Sequence, residues 1–354
     1  MHIYTMTKKY KVHQNAVKKR ASKRKATIGK RGINKRSTST TNKDHSFKII
    51  NYIIPKQFSF IHNFDESMTV FDLLIENSTH KRIKHIIDLR YIDGFTVEII
   101  LYLISLSNIW KKKKYKYKIE IKSPIKEELR LLLAKSGLGK YFRGNGVGHI
   151  DEEYIYPMCD GGHDTIDDTV SISQNDRVIE INTFTSNMLK DFPNNADRSE
   201  LKLKIFKQTN AIAEMIRNTD DHAYEEEHNP FAPLRNWYFF AGKVQDGISF
   251  YFLDNGKGII NTAKQRIFDK LYLATDNLEP KLLEDVMNGN NRSRTNLSNR
   301  NKGLPEIKDF FQNADIMFST IISNNTIYKN NNGTITYEKK KQSFSGTLYI
   351  WIIK

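Results

Sequence analysis

A row of polar side chains on one helix face offers groups that could do chemistry. Glu214 and Asn218 are four positions apart in a helical pattern that runs from Leu201 to Tyr224, so they share one side of the helix with Asp221 and His222. The opposite face is apolar and carries Ile205, Ile212 and Ile216. Carboxylate and imidazole groups often transfer protons in active sites. The alternative is an ordinary solvated face, and the segments that follow along the chain argue against it.

A glycine-containing turn follows the second of two apolar strand patterns. The strands are expected at Trp237–Val244 and Ile248–Leu253, and the second runs directly into Asp254, Gly256 and Gly258. An Asp-Asn-Gly sequence is common in turns, so this segment has low specificity when taken alone.

A second glycine opens a helix further along the chain. Lys302, Gly303 and Leu304 begin a helical pattern that continues through Phe311. A glycine at a helix start lets backbone N–H groups approach a phosphate, and the helix dipole favours the anion. The chain then ends in apparent antiparallel strands, the last of which begins at Gly346-Thr347. These strands are expected at Ile316–Ile322, Thr326–Tyr328, Thr334–Glu338 and Thr347–Ile353.

The four segments, in this order, resemble the sequence boxes of the GHKL ATPase superfamily. The superfamily includes the ATPase component of DNA gyrase, MutL mismatch-repair proteins, histidine kinases and anti-sigma serine kinases. The resemblance covers residues 195–354, nearly half of the chain. Each of these short segments has low specificity alone. All four in the order of the superfamily, with compatible distances between them along the chain, form a specific pattern. The second glycine box is reduced here, because it lacks its earlier glycines.

The resemblance implies ATP and Mg²⁺ as ligands and assigns a role to each matching residue. Glu214 would be the catalytic base, and Asn218 would hold Mg²⁺ through its amide oxygen. Asp254 would accept a hydrogen bond from the adenine amino group. Backbone at the two glycines that follow it would approach the base and sugar. The remaining nucleotide contacts are implied for His222, Gly256, Gly258, Lys302, Gly303, Leu304 and Thr347.

The resemblance also implies a segment that covers the bound nucleotide. This lid would extend over residues 260–300, where Arg294 would reach the γ-phosphate and Arg292 is an equal candidate. A glutamate at position 214 marks relatives that hydrolyse ATP or phosphorylate a protein hydroxyl, whereas histidine kinases usually carry asparagine. His222-Ala223 resembles the pattern of anti-sigma-type kinases more than that of MutL proteins.

Strands alternate with helices over about a hundred residues of the first half, which indicates a small α/β domain. A buried strand at Ile83–Leu89 leads through Asp93 into a helix from Thr96. This order resembles the STAS fold of anti-sigma-factor antagonists, in which a serine just after such an aspartate is phosphorylated. The corresponding residue here is Gly94 and the nearest hydroxyl belongs to Thr96, so a docking or scaffold role is expected.

The positive charge of the chain is concentrated in a terminal segment. Residues 1–44 carry fourteen Lys/Arg and one acid, a charge of +13 out of the total of +16, which leaves +3 for the other 310 residues. The segment has almost no apolar periodicity, so it is expected to be disordered. Clustered cations can bind nucleic acid by releasing its counterions. The alternative is a solvated, self-repelling extension.

The remaining composition limits the location and the cofactors of the protein. The one cysteine, Cys159, excludes an internal disulfide framework, and no apolar run of eighteen residues could span a membrane. A cytoplasmic protein is therefore expected. Cys159, Asp160, His163 and Asp164 have metal-binding side chains, but no second cluster completes a zinc site, which favours a polar linker.

These observations predict an α/β protein of two domains, a STAS-like domain followed by an α/β-sandwich ATP-binding domain of the GHKL (Bergerat) type. The expected boundaries are a basic disordered tail at 1–45, the STAS-like domain at 46–148, a linker at 149–175 and the ATPase domain at 176–354.

The expected function is that of a Mg-ATP-binding regulatory protein that slowly hydrolyses ATP and controls a protein partner through lid closure. One alternative is an anti-sigma-type serine/threonine kinase that acts on a separate protein. Another is an ATP-gated protein that binds nucleic acid through residues 1–44. Dimerisation is common among the relatives, so a homodimer is one expected state, although no segment specifies it.

Overall fold

The computed structural model has mixed α/β architecture with both parallel and antiparallel sheets, as the sequence predicts. Phe47–Lys354 form one compact unit. The structure describes residues 47–78, 83–112, 117–142, 155–156, 174–189, 195–222, 237–244, 247–266, 278–290 and 303–354.

The first layer is a three-stranded parallel sheet with the order β1-β3-β5. Its strands are β1 (Lys48–Tyr52), β3 (Ile83–Asp88) and β5 (Tyr117–Lys122). Two short strands follow β1 and β3 along the chain, namely β2 (Gln57–Phe58) and β4 (Gly94–Phe95), and they pair with each other in parallel. The helices of this layer are α1 (Phe64–Ser78), α2 (Val97–Lys112), α3 (Glu127–Lys135) and α4 (Leu138–Tyr141). Parallel strands joined through helices account for the alternating pattern in the sequence.

The second layer is a five-stranded antiparallel sheet with the order β6-β7-β8-β10-β9. Its strands are β6 (Ile155–Tyr156), β7 (Trp237–Val244), β8 (Gly247–Asp254), β9 (Ile316–Asn331) and β10 (Thr334–Ile353). The edge strand β6 lies within the segment expected to be a linker and pairs with β7. The central strand β8 ends at Asp254, between β7 and β10.

The end of the chain differs from the sequence prediction of four separate strands. It forms two long strands, β9 and β10, which pair across the turn at Asn332-Gly333. Polar residues interrupt both strands, but the backbone continues through them with register shifts on either side of Phe344. Asn324 takes a left-handed conformation (φ 53°) at this irregularity. The polar interruptions are therefore bulges and not loops.

In the described part of the chain, six further helices accompany the antiparallel sheet. They are α5 (Gln174–Met188), α6 (Asn195–Lys207), α7 (Thr209–His222), α8 (Ile259–Arg266), α9 (Leu278–Met287) and α10 (Gly303–Phe311). The prediction of one helix from Leu201 to Tyr224 was wrong, because the chain breaks at Gln208 into α6 and α7. Gln208 is fully buried and its side chain accepts a hydrogen bond from Trp351 Nε1 at 2.9 Å, and this tertiary contact falls where the helix breaks.

The antiparallel sheet is covered on both faces, as the alternation along β8 requires. Phe250 and Phe252 belong to a core with residues of α7, α8 and α10. Tyr251 and Leu253 belong to a second core that they share with residues of the parallel layer. Phe344 of β10 is an example, since its ring packs 5.4 Å from Phe60 and 4.9 Å from the ring of Tyr102 on α2.

The parallel layer also holds β10 through polar contacts. Asp65, in the first turn of α1, accepts hydrogen bonds at 2.9 Å from the backbone N–H groups of Lys341 and Gln342. These two residues lie in the irregular part of β10, shortly before Thr347. None of the helices in the described part of the chain is long and apolar enough to cross a membrane.

Candidate functional site

The first group of predicted site residues meets where α7 packs against the start of α10. A side-chain carbon added to Gly303 would lie 2.5 Å from Oε2 of Glu214 and 3.4 Å from Oδ1 of Asn218. The glycine at the helix start therefore faces both the carboxylate and the amide. The structure thus brings two residues of α7 to the glycine that opens α10.

The side chains of Glu214 and Asn218 at this junction differ in their hydrogen bonding. Glu214 is 8% exposed and its Oε1 accepts a hydrogen bond from Arg217, one turn further along α7. The amide nitrogen of Asn218 is buried and has no hydrogen-bond partner among the described residues. A buried amide without a partner is costly unless a ligand or water satisfies it. This position therefore suits a ligand that contacts the Asn218 amide.

The second group surrounds Asp254 at the end of β8. Its carboxyl group is 5% exposed and accepts a 2.7 Å hydrogen bond from the backbone N–H of Gly256. Thr347, its partner in register on β10, bonds to the same carboxyl through its backbone and its side chain. Burial outweighs these bonds and raises the pKa of Asp254 to about 6. A buried carboxylate with remaining acceptor capacity suits a ligand N–H donor.

Gly346 allows β10 to approach Asp254 closely. Its φ is +107°, and an added side-chain carbon would lie 2.0 Å from the carbonyl oxygen of Asp254. Any other residue would clash with the β8 backbone and adopt a strained conformation. The close approach of β10 to Asp254 therefore requires glycine at position 346.

The glycine turn after Asp254 is fixed by residues that the sequence analysis missed. Gly258 has a φ of +83° and precedes α8. Ser323 and Asn324 of β9 bond to the backbone of this turn and of the start of α8. The signal in the sequence was the polar run that interrupts the apolar pattern of β9, but only the fold shows what it contacts.

One apolar core supports both groups. Ile216 of α7, Ile259 of α8 and Ile307 of α10 are buried together with Phe252 of β8, and Leu304 packs against the same core. The helices and strands that carry the two groups of polar residues thus pack around a common centre. The described contacts join Glu214 and Asn218 to Gly303, and Asp254 to Gly256 and Thr347.

Several predicted residues fall where the structure gives no description. Arg292, Arg294 and Lys302 lie outside the described residues, as do the cysteine-containing linker segment 157–173 and the basic tail. His222 ends α7, but its side chain also lies outside the described part. The predicted lid is described only at α8 and α9.

The described residues contain no group of three or more His, Cys, Asp or Glu side chains that could hold a metal ion. The amide oxygen of Asn218 is an oxygen donor of the type that Mg²⁺ accepts, and Mg²⁺ commonly takes few protein ligands when phosphates complete its shell. The residues at the α7–α10 junction are therefore compatible with a metal that arrives with a phosphate ligand.

The Thr96 hydroxyl, which is the nearest one to Gly94, already forms a hydrogen bond within the parallel layer. Thr96 donates a hydrogen bond to Glu98, a fully buried carboxyl that also accepts bonds from the Ser59 hydroxyl and the Phe60 N–H at 2.9 and 3.2 Å. Burial raises the pKa of Glu98. Thr96 thus contributes to a buried hydrogen-bond network.

No protein-family model, no curated protein and no solved structure gives a significant match to this chain. Function is therefore inferred from the residues and from their geometry.

Proposed function

We propose that this chain is a Mg-ATP-binding regulatory protein of the GHKL type, with a STAS-like layer packed on its ATP-binding sheet. The observation that carries the proposal is the contact of Gly303 with both Glu214 and Asn218. It joins a helix N-terminus, a carboxylate and a buried amide nitrogen that has no partner among the described residues, which are groups suited to bind and cleave a phosphoanhydride. The buried Asp254 supports the same assignment from the other end of the ligand.

The backbone N–H groups at the start of α10 would bind the phosphates, assisted by the helix dipole. Asn218 would hold Mg²⁺ through its amide oxygen, and the metal neutralises phosphate charge when it is bound. The carboxylate of Asp254 would accept a hydrogen bond from the adenine amino group. Thr347, which already bonds to this carboxylate, would fix its orientation.

Glu214 would act as the general base toward an attacking water. It lies one helical turn before Asn218 on α7, and its bond to Arg217 keeps the carboxylate in place. General-base catalysis by a positioned carboxylate contributes about 10²–10⁴-fold in rate. Slow hydrolysis would reset a nucleotide-driven change that controls a protein partner.

The proposal is tested by Mg-ATP binding and phosphate release with the purified full-length chain. Glu214→Ala should bind Mg-ATP and lose turnover by about 10²-fold or more. Asn218→Ala should lose the Mg²⁺ dependence of binding. Asn210→Ala is the matched control, because Asn210 is an exposed asparagine earlier on the same helix; it should match the unsubstituted chain.

Two outcomes would change the proposal. If the chain binds no nucleotide, or if Asn218→Ala and Asn210→Ala behave alike, Mg-ATP binding at this site is refuted. If the γ-phosphate label appears on a separate protein and is not released, the kinase alternative replaces the ATPase. That alternative uses the same Glu214, since a protein hydroxyl would take the place of water.

A further inference from the structure

Asn324 is one of two described residues other than glycine with a positive φ, and the only one of them that lies inside a strand. The second, Asn332 (φ 48°), sits in the β9–β10 turn, where a left-handed conformation is expected. Asn324 (φ 53°) is 5% exposed and interrupts the pairing of β9 with β10. Strained backbone inside a buried strand persists only when the surroundings require it.

The side chain of Asn324 satisfies two backbone groups of the glycine turn and helix α8. Its Nδ2 donates to the carbonyl oxygen of Lys257 at 2.8 Å, and its Oδ1 accepts from the N–H of Asn261 at 3.2 Å. The neighbouring Ser323 hydroxyl accepts from the N–H of Ile259 at 2.7 Å. These bonds use both the donor and the acceptor of the amide, so no other side chain of this size can replace it fully.

The same amide also lies against the second glycine of the turn. A side-chain carbon added to Gly258 would be 2.5 Å from Oδ1 of Asn324 and 2.8 Å from its Nδ2. The turn backbone therefore packs directly on the amide group. Lys257 and Gly258 belong to the segment that begins at Asp254, so Asn324 acts on the geometry of that segment from another strand.

We propose that Asn324 is a positioning residue for the nucleotide site, which holds the turn from Asp254 to Gly258 in the conformation that receives the base and sugar. The inference rests on the proposed function, because the ligand is the same Mg-ATP. It adds a residue outside the four sequence boxes, on a strand to which the resemblance assigned no role. Asn324 touches no ligand atom in this proposal and acts through the turn.

The test compares Asn324→Gly with Asn332→Gly in the full-length chain. Glycine accepts a positive φ without strain, so each variant removes only a side chain at a left-handed position. Loss of two ordinary hydrogen bonds should weaken Mg-ATP binding about tenfold in Asn324→Gly. The KM should rise while kcat at saturating ATP is retained, since Glu214 and Asn218 lie on another element. Amide hydrogen exchange should become faster at residues 257–261, and Asn332→Gly should change none of these quantities.

Ser323→Ala provides a second variant if Asn324→Gly fails to fold. It removes the acceptor for the Ile259 N–H and should raise the KM in the same direction, by a smaller factor. The proposal is overturned if a folded Asn324→Gly binds Mg-ATP like the unsubstituted chain. It is also overturned if kcat falls while KM is unchanged. If the unsubstituted chain binds no ATP, the proposed function is refuted. Unchanged amide hydrogen exchange at residues 257–261 in Asn324→Gly would separately refute the positioning role.

Discussion

Replacing Gly303 by alanine should separate catalysis from nucleotide binding. The added carbon would lie 2.5 Å from Oε2 of Glu214, whereas ordinary contact begins at 3.4 Å. The carboxylate must therefore move by about 1 Å, and misplacement of a catalytic group by this distance costs on the order of 10²-fold in rate. The amide of Asn218 is 3.4–3.5 Å from the same carbon, which is already ordinary contact, so the proposed Mg²⁺ ligand stays in place.

The expected result for Gly303→Ala is a fall in kcat of about 10²-fold with a smaller rise, of about tenfold or less, in the Kd for Mg-ATP, because the backbone N–H groups at the start of α10 remain but a side-chain carbon now lies beside them. The free energy of unfolding should stay within about 1 kcal/mol, because alanine has a higher helix propensity than glycine and the displaced group is a side chain. Single-turnover phosphate release, nucleotide titration and urea unfolding measure the three quantities.

A double-mutant cycle with Glu214→Ala identifies the cause of the rate loss. If the alanine at position 303 acts by moving the Glu214 carboxylate, it should lower the rate by no more than about twofold once that carboxylate is absent. Additive losses in the double variant would refute the reasoning, since they would show that Gly303 acts independently of Glu214. A Kd that rises by as large a factor as kcat falls would also contradict it.

Three further predictions concern the elements around the site. Gly346→Ala should lower the free energy of unfolding by about 2 kcal/mol more than Gly333→Ala. Both glycines have a positive φ, but of the two only Gly346 has a backbone atom within contact distance of the added carbon. Equal losses of the free energy of unfolding in urea would contradict this prediction. The pKa of Asp254 is raised from 3.8 to about 6 by burial, so its contribution to stability is fully present below pH 3.8 and is lost as the pH rises through about 6, by roughly 3 kcal/mol in total. ATP affinity should rise over the same range, because the ionised carboxylate is the acceptor, and Asp254→Asn should remove both pH dependences; a pH-independent Kd in the unsubstituted chain would exclude the assigned role. Asp65→Ala should lower the free energy of unfolding by about 1–2 kcal/mol, because two backbone N–H groups of β10 lose their acceptor. Asp65→Asn keeps one acceptor oxygen, so its loss of unfolding free energy in the same assay should be less than half of that value.

The α/β class and the ends of many elements could be predicted because local patterns determine them. The strand predicted at Trp237–Val244 has the same bounds in the structure, and the helix that opens at Gly303 ends at Phe311. In both cases an apolar periodicity is bounded by turn or glycine residues, so the sequence contains the necessary information.

The helix break at Gln208 was not predicted, because no glycine or proline marks it in the local sequence. The apolar pattern continues through the break, where the side chain of Gln208 accepts a hydrogen bond from Trp351, 143 positions further along the chain. The long strands β9 and β10 were divided in the prediction for a related reason. Polar runs in a strand usually indicate turns, whereas here Asn324 is polar because it bonds to a turn elsewhere in the chain.

The individual residues of the candidate site could be named from the sequence, but their arrangement in space could not. The spacing of Glu214 and Asn218 on one helix follows from the sequence, and so does the position of Asp254 at a strand end. The contact of Gly303 with the first two residues depends on how α10 packs against α7, which no local pattern specifies. Asn324 was missed because its partners lie 63 and 67 positions away along the chain.

The most direct test of the central claim is a crystal structure of the full-length chain with Mg²⁺ and a nonhydrolysable ATP analogue. The claim predicts that one analogue molecule connects the two groups of residues, with its adenine amino group hydrogen-bonded to Asp254. Its phosphates should lie at the start of α10, and the metal should be bound by Oδ1 of Asn218. An analogue bound elsewhere, or crystals grown at saturating analogue concentration with neither group contacted, would contradict the claim.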